Sequence, residues 1–187
     1  MDIVGKKTIL RKFCTENLED PNYLRWLRDP EVMKYIARDE YYKEVDYLIV
    51  KSHVEKMLES EFCYYYAIFN LVDNTFIGTC KIDYIDENGK KNSRANVGIM
   101  IGERSCWGSG FGKDVINSLS KFAFNELGVR KLIAGALRGN VGSIAIFKKN
   151  GYKEEGVFRL HTLTKAGEYV DHVYLACFPG ELVNENQ

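Results

Sequence analysis

Gly108, Gly110 and Gly112 alternate within the segment VGIMIGERSCWGSGFGK, residues 97–113, and Gly102 precedes them. A strand-like apolar run, Val97 to Ile101, leads into these glycines. Lys113 to Leu127 follows with the periodicity of an amphipathic helix. A glycine-rich loop that opens a helix directs backbone N–H groups outward at the positive end of the helix dipole. The chemistry of such a loop is anion binding, and a phosphate or diphosphate is the group it holds. Three alternating glycines exceed what one tight turn requires. Lys113 places a cation in the first helical turn, where it opposes the dipole unless a bound phosphate or the neighbouring Asp114 balances it.

Spacing excludes two familiar phosphate loops. The dinucleotide fingerprint places glycines first, third and sixth. From Gly108 the third place is Gly110, but the sixth is Lys113. The nucleoside-triphosphate loop runs Gly, four residues, then Gly-Lys-Ser/Thr. Around Gly112-Lys113 the leading place is Trp107 and the closing one is Asp114. Neither hydride transfer on NAD nor ATP hydrolysis follows from this loop.

A third pattern fits. Trp107-Gly-Ser-Gly110-Phe-Gly112 resembles the diphosphate loop of the GNAT superfamily, the acyl-CoA-dependent N-acetyltransferases. Trp107 stands where the family has Arg or Gln, as in the branch resembling the RimJ and RimL protein acetyltransferases. Asn140, Ser143 and Phe147-Lys-Lys-Asn-Gly151-Tyr152 resemble the family's Asn-x-x-Ser and Phe-Glu-Lys-x-Gly-Phe segment. Tyr23 to Val32, YLRWLRDPEV, is similar to the Trp-Leu-x-Asp-Pro-Glu-Val stretch of the same branch. The resemblance covers nearly the whole chain and is tightest from about Asn96 to Gly156.

The resemblance implies acetyl-CoA as co-substrate and a primary amine as acceptor. A neutral amine attacks the thioester carbonyl, an oxyanion forms and the CoA thiolate leaves. By resemblance, Trp107, Gly108, Ser109, Gly110, Phe111, Gly112 and Lys113 hold the diphosphate. The backbone of Ile99, Met100 and Ile101 contacts pantetheine, and Asn140 hydrogen-bonds it, near Ser143 and Phe147. Asn140 also reads as a helix N-cap with Ser143 three residues on, and both roles can hold together. Ser143 lies where it can protonate the leaving thiolate, or it is a plain first-turn serine. The family's tyrosine acid falls at Phe147, which cannot donate a proton.

The family's strand glutamate falls at Asn96 and Gly98, so that base is absent. Candidates for the base are Glu103, Asp83, Tyr84, Asp171 and His172, the last for its pKa near neutrality. A water chain is the alternative. Tyr41 and Tyr42 in a presumed loop, with Asp83 and Tyr84, are candidate acceptor contacts, whereas Trp26 and most strand tyrosines read as packing. The acceptor is a protein N-terminus, an amino sugar or another small amine. A non-catalytic acetyl-CoA-binding module is the competing reading, motivated by the missing tyrosine and glutamate.

The elements that position these residues follow in order. A strand covers Lys7 to Phe13, a helix Leu18 to Leu27, a second helix Glu31 to Ala37 and a third Glu44 to Ser60. Strands Phe62–Phe69 and Phe76–Ile85 flank a turn, and Glu87-Asn88-Gly89-Lys90 supplies an Asn-Gly hairpin turn before strand Ala95–Ile101. Gly98 and Gly102 in or beside that strand suggest a bulge or close backbone approach. Strand Arg130–Leu137, helix Val141–Asn150 with a left-handed cap at Asn150-Gly151, and a last hairpin, Tyr152–His161 with Tyr169–Phe178, complete the order. The resemblance implies one GNAT domain over residues 1–187. Its sheet is mixed, mostly antiparallel and twisted, of about seven strands with helices on both faces and splayed central parallel strands.

Composition bounds the partners. The chain has 187 residues, 45% hydrophobic and 28% charged, as in an ordinary globular domain. Lys+Arg and Asp+Glu are both 26, so a bulk polyanion such as nucleic acid or an anionic membrane is disfavoured. No apolar run approaches the about 18 residues of a membrane span, and MDIVGKKT lacks the apolar stretch of a signal peptide. Five scattered cysteines have no metal-ligand spacing and read as reduced thiols of a cytoplasmic protein. A homodimer is compatible with the family.

Overall fold

The structure is a computed structural model, and it describes residues 1–36, 45–84, 87–164 and 166–183. One eight-stranded sheet organises them, in the order β1-β2-β3-β4-β5-β6-β8-β7. The strands are β1 (Ile3–Val4), β2 (Thr8–Lys12), β3 (Cys63–Asn70), β4 (Phe76–Asp83), β5 (Arg94–Ile101), β6 (Lys131–Leu137), β7 (Lys153–Leu163) and β8 (Tyr169–Cys177). Helices α1 (Thr15–Glu19), α2 (Pro21–Arg28), α3 (Pro30–Met33) and α4 (Tyr47–Glu59) lie between β2 and β3. Helix α5 (Glu87–Lys91) precedes β5, α6 (Phe111–Asn125) follows it, and α7 (Val141–Lys149) follows β6.

Strand alternation sends side chains to two cores. Tyr66 and Ile68 of β3 join the cluster under α6, where Val115, Ile116, Leu119 and Ala123 are fully buried. Tyr65 and Ala67 face the other way and join Trp26, Leu27, Val50 and Val54 of α2 and α4. Helices therefore cover both faces, and the apolar stripe of α6 at helical spacing explains its seat on the sheet.

All strand pairs are antiparallel except β5 with β6. That parallel pairing covers Arg94–Asn96 against Lys131–Ile133 and stops there. From Val97 onward β5 has a partner on the β4 side only, running from Val97 opposite Ile82 to Ile101 opposite Gly78. The splay of the central parallel strands is this loss of pairing, and it leaves open backbone edges in the middle of the sheet.

Four expectations change. The sheet has eight strands, because the short β1 turns back onto β2 through Gly5–Lys7. The helix expected over Leu18–Leu27 is two, because Asp20 caps a new helix with Pro21 at its first position. The Asn-Gly turn is instead helix α5, and its buried Gly89 packs so close to the Tyr84 carbonyl that a Cβ there would collide. No bulge interrupts β4–β5, whose register is continuous; Gly102 instead marks a close approach, its Cα lying against the Trp26 ring. At α7 the left-handed residue is Gly151, with φ +95°.

Candidate active site

The loop between β5 and α6 is held at both ends. The Trp107 indole N–H donates to the Ile101 carbonyl at 2.8 Å. Gly108 and Gly110 hold φ of +73° and +86°, and a Cβ at Gly108 would meet nothing within 4 Å. Conformation rather than crowding therefore requires glycine there. Gly110 is the N-cap of α6, and the helix's first hydrogen bond runs from the Asp114 N–H to the Gly110 carbonyl at 3.1 Å. The amides of Phe111 and Gly112 precede that bond and are among those that an α-helix leaves without an intrahelical acceptor.

The β1–β2 turn braces this loop from behind. Lys7 Nζ donates to the Ser109 carbonyl at 2.9 Å. A trans peptide points its N–H opposite to its C=O, so this bond turns the Gly110 N–H away from Lys7. Asp114, 6% exposed, accepts from the Lys6 and Lys7 N–H groups at 2.8 and 2.9 Å and from the Thr8 hydroxyl at 2.7 Å. Its carboxylate ties that turn to the first turn of α6.

A cavity of about 580 Å³ opens in front of the loop, walled by Trp107, Gly110, Phe111, Lys113 and the start of α7. Its size and largely apolar walls suit a pantetheine arm below a diphosphate. A second cavity of about 290 Å³ lies where β5 and β6 part, beneath α2. Tyr35, Ile36, Ile99, Met100, Asn140 and Ser143 line both, so the two meet at the splay. Every expected cofactor residue except Ser109 lines one cavity or the other; Phe147 lines the smaller. Phe147 is 2% exposed and packs edge-on against Tyr152, whose hydroxyl bonds Ser120 in the core.

The Asn140 side-chain oxygen accepts from the Ser143 N–H at 3.1 Å and caps α7. That bond leaves the amide nitrogen as a donor at the junction of the cavities. His172 lines the smaller cavity. Its ring stacks on Tyr174 at 4.8 Å, lies against Gly135 of β6, and its Nδ1 sits 3.2 Å from the Thr162 hydroxyl. Burial, helped by His161, holds its pKa below the ordinary imidazole value. The imidazole is therefore neutral at pH 7.

Other expected residues are placed elsewhere. Glu103 pairs with Arg25 at 2.8 Å and accepts from Ser105, and the Arg25 hydrogen bond holds its carboxyl below the usual range. It lines neither cavity and ties α2 to the loop, which is a correction to its candidacy as base. Asp83 pairs with Lys81, and of the two only Lys81 reaches the smaller cavity. Tyr84 is buried and faces a different cavity. Asp171 binds Arg138 and the Leu160 N–H. Tyr41 and Tyr42 lie outside the described residues. Among the described residues no group of three or more His, Cys, Asp or Glu is placed to hold a metal ion, and no helix is long and apolar enough to cross a membrane.

Sequence reasoning missed Tyr23, Tyr65, Lys81 and Gly135 of the smaller cavity. Tyr65, like most strand tyrosines, read as packing, yet its hydroxyl meets that of Tyr23 at 2.9 Å beside the cavity. Gly135 carried a usable signal, since a glycine inside a strand marks a close approach; here the approaching group is the His172 ring.

Residues 7–153 match the family model described as the acetyltransferase (GNAT) domain. The uncharacterized N-acetyltransferase p20 of Bacillus licheniformis is 28% identical over 175 residues, covering 91% of each chain. Two solved structures share the fold. A RimL ribosomal L7/L12 alpha-N-protein acetyltransferase in complex with coenzyme A has a TM-score of 0.81 at 18% identity, over 95% of this chain and 98% of that one. A spermidine N-acetyltransferase from Vibrio cholerae with CoA and spermine has 0.79 at 17% identity, over 95% and 99%.

Proposed function

The chain belongs to the GNAT family of acetyltransferases and uses acetyl-CoA, and on that premise we propose that it transfers the acetyl group to a primary amine by direct attack in a ternary complex. The observation that carries this reading is the meeting of two cavities where β5–β6 pairing stops after Asn96–Ile133. The larger holds the carrier and the smaller the amine. The amides at the start of α6 take the diphosphate. The open backbone edge of Val97–Ile101 pairs with pantetheine as an added strand would.

The proton path uses this chain's own groups. With the proton on Nδ1, donated to the Thr162 hydroxyl, His172 presents Nε2 as acceptor. It takes a proton from the ammonium, directly or through one water, so the nitrogen lone pair can attack the thioester carbonyl. The C–N bond forms and the C–S bond breaks; the Ser143 hydroxyl donates its proton to the departing thiolate, and the second proton that leaves the nitrogen returns to the Ser143 oxygen, directly or through water. All five cysteines are free thiols, and burial pushes the Cys80 thiol up, so the cavity offers no thiolate nucleophile for a covalent acyl-enzyme. Free thiols also fit a reducing, cytoplasmic setting.

Thiol release from acetyl-CoA, measured with a panel of amines, tests the reading. Amine-dependent release matched by acetylated product is expected. Tight acetyl-CoA binding without release for any amine would overturn it in favour of a binding module.

A further inference from the structure

The sheet face that bears the acceptor cavity continues into a third cavity of about 570 Å³. Three strands show the continuity. On β5, Gly98 and Met100 line the acceptor cavity and Arg94 and Asn96 the lower one. On β6 the same division separates Gly135 and Leu137 from Lys131 and Ile133, and on β8 it separates His172 from Tyr174. Each is the next same-face position along its strand, so the two cavities follow one another along one face of the sheet as a trough with two basins. Gly98 and Arg94 lie four residues apart, about 13 Å of strand.

The trough's chemistry is lopsided. Lys81, Arg94 and Lys131 line it; Asp83 pairs with Lys81 and Glu155 with Lys131, so Arg94 is the cation for which no carboxylate partner is found among the described residues. Arg94 and Lys131 are register partners on the parallel strands, so two like charges face one cavity from adjacent strands. Glu155 pairs with Lys131 at 2.6 Å, which offsets one of them. Such a pair is unfavourable by itself and favourable beside an anion. The far wall is aromatic: Phe158 and Tyr174 sit with centroids 4.7 Å apart, Phe158 is 52% exposed, and Tyr84 stands across from them.

We propose that this trough holds the far end of the acceptor and that the acceptor is an amino sugar carried on a nucleoside diphosphate. The phosphates lie at Arg94 and Lys131, the base rests on Phe158 and Tyr174, and the sugar's amine reaches His172. The proposal rests on the acetyl-transfer reading of the same site. A polyamine would set its own cations against Arg94 and Lys131, which disfavours that class of acceptor.

The test is calorimetric titration of CoA-saturated protein with UDP, GDP, CDP and dTDP. Saturation fills the diphosphate loop, so binding reports the trough. At least one nucleotide is expected to bind, with affinity falling about tenfold or more in Arg94→Ala and largely kept in Arg94→Lys, while CoA affinity stays unchanged. No binding by any of the four, or binding indifferent to Arg94→Ala, would overturn the proposal. These titrations need no turnover. Nucleotide binding without any amine acetylation would sink the transfer reading and leave the trough. Acetylation of phosphate-free amines with unchanged KM in Arg94→Ala would do the reverse.

Discussion

Gly110→Asp, set against Gly110→Asn, isolates the charge at the mouth of the cofactor cavity. The two side chains have nearly the same shape, and both residues tolerate left-handed backbone better than most, as the φ of +86° requires. Both are also good N-caps, so the helix start is preserved in either variant. Strain from the positive φ costs each about 1 kcal/mol and cancels in the comparison. What differs is one negative charge beside a diphosphate carrying two. At separations of about 6 Å and an effective dielectric of about 40, each pair repels by roughly 1.4 kcal/mol, or about 3 kcal/mol together. Lys7 Nζ lies 3.9 Å from where the new Cβ would sit and offsets part of this. The expected loss of CoA affinity relative to Gly110→Asn is therefore about 30-fold, shrinking as salt rises. Calorimetric titration with CoA at low and high salt reads it, and melting curves confirm that both variants fold. Equal CoA affinity in the two variants would mean that no diphosphate sits at this helix start.

Three further substitutions probe the catalytic groups and the frame. Ser143→Ala is expected to lower kcat by about tenfold or more while CoA affinity moves less than about threefold, as loss of a general acid does; an unchanged rate removes Ser143 from the mechanism. His172→Gln is expected to abolish an acid limb in the pH profile of kcat/KM. Because the His172 pKa is lowered, the neutral, active form persists below the ordinary value, so the wild-type limb lies below pH about 6.5; a limb retained in the variant assigns the proton to another group. Gly102→Ala drives a methyl into the Trp26 ring and is expected to cost about 2 kcal/mol, or about 4–8 °C in Tm for a chain of this length. An unshifted melting curve would show that the packing there is loose.

The cofactor half of the site was legible because its signals are local. Alternating glycines, the helix after them and the Asn140–Ser143 cap are each read within a short stretch of chain, and the contacts proposed for the carrier are backbone amides. The acceptor half depends on strand register, which no local pattern states. His172 gains meaning only when Gly135 is found beneath its ring, and Lys81 only when it, and not its ion-pair partner Asp83, is found lining the cavity. Glu103 looked like a base beside the loop, yet Arg25, 78 residues away in sequence, claims its charge. The Asn-Gly pair misled for a related reason. Hairpin turns and helix starts share residue types, and packing of Gly89 against the Tyr84 carbonyl decided between them.

The most direct measurement is a crystal structure of the protein with acetyl-CoA bound. The account predicts diphosphate oxygens within hydrogen-bond distance of the Phe111 and Gly112 amides, pantetheine paired along Val97–Ile101, and the thioester between Ser143 and His172. Acetyl-CoA bound anywhere else, with β5 and β6 still open and empty between Asn96 and Ile101, would contradict it.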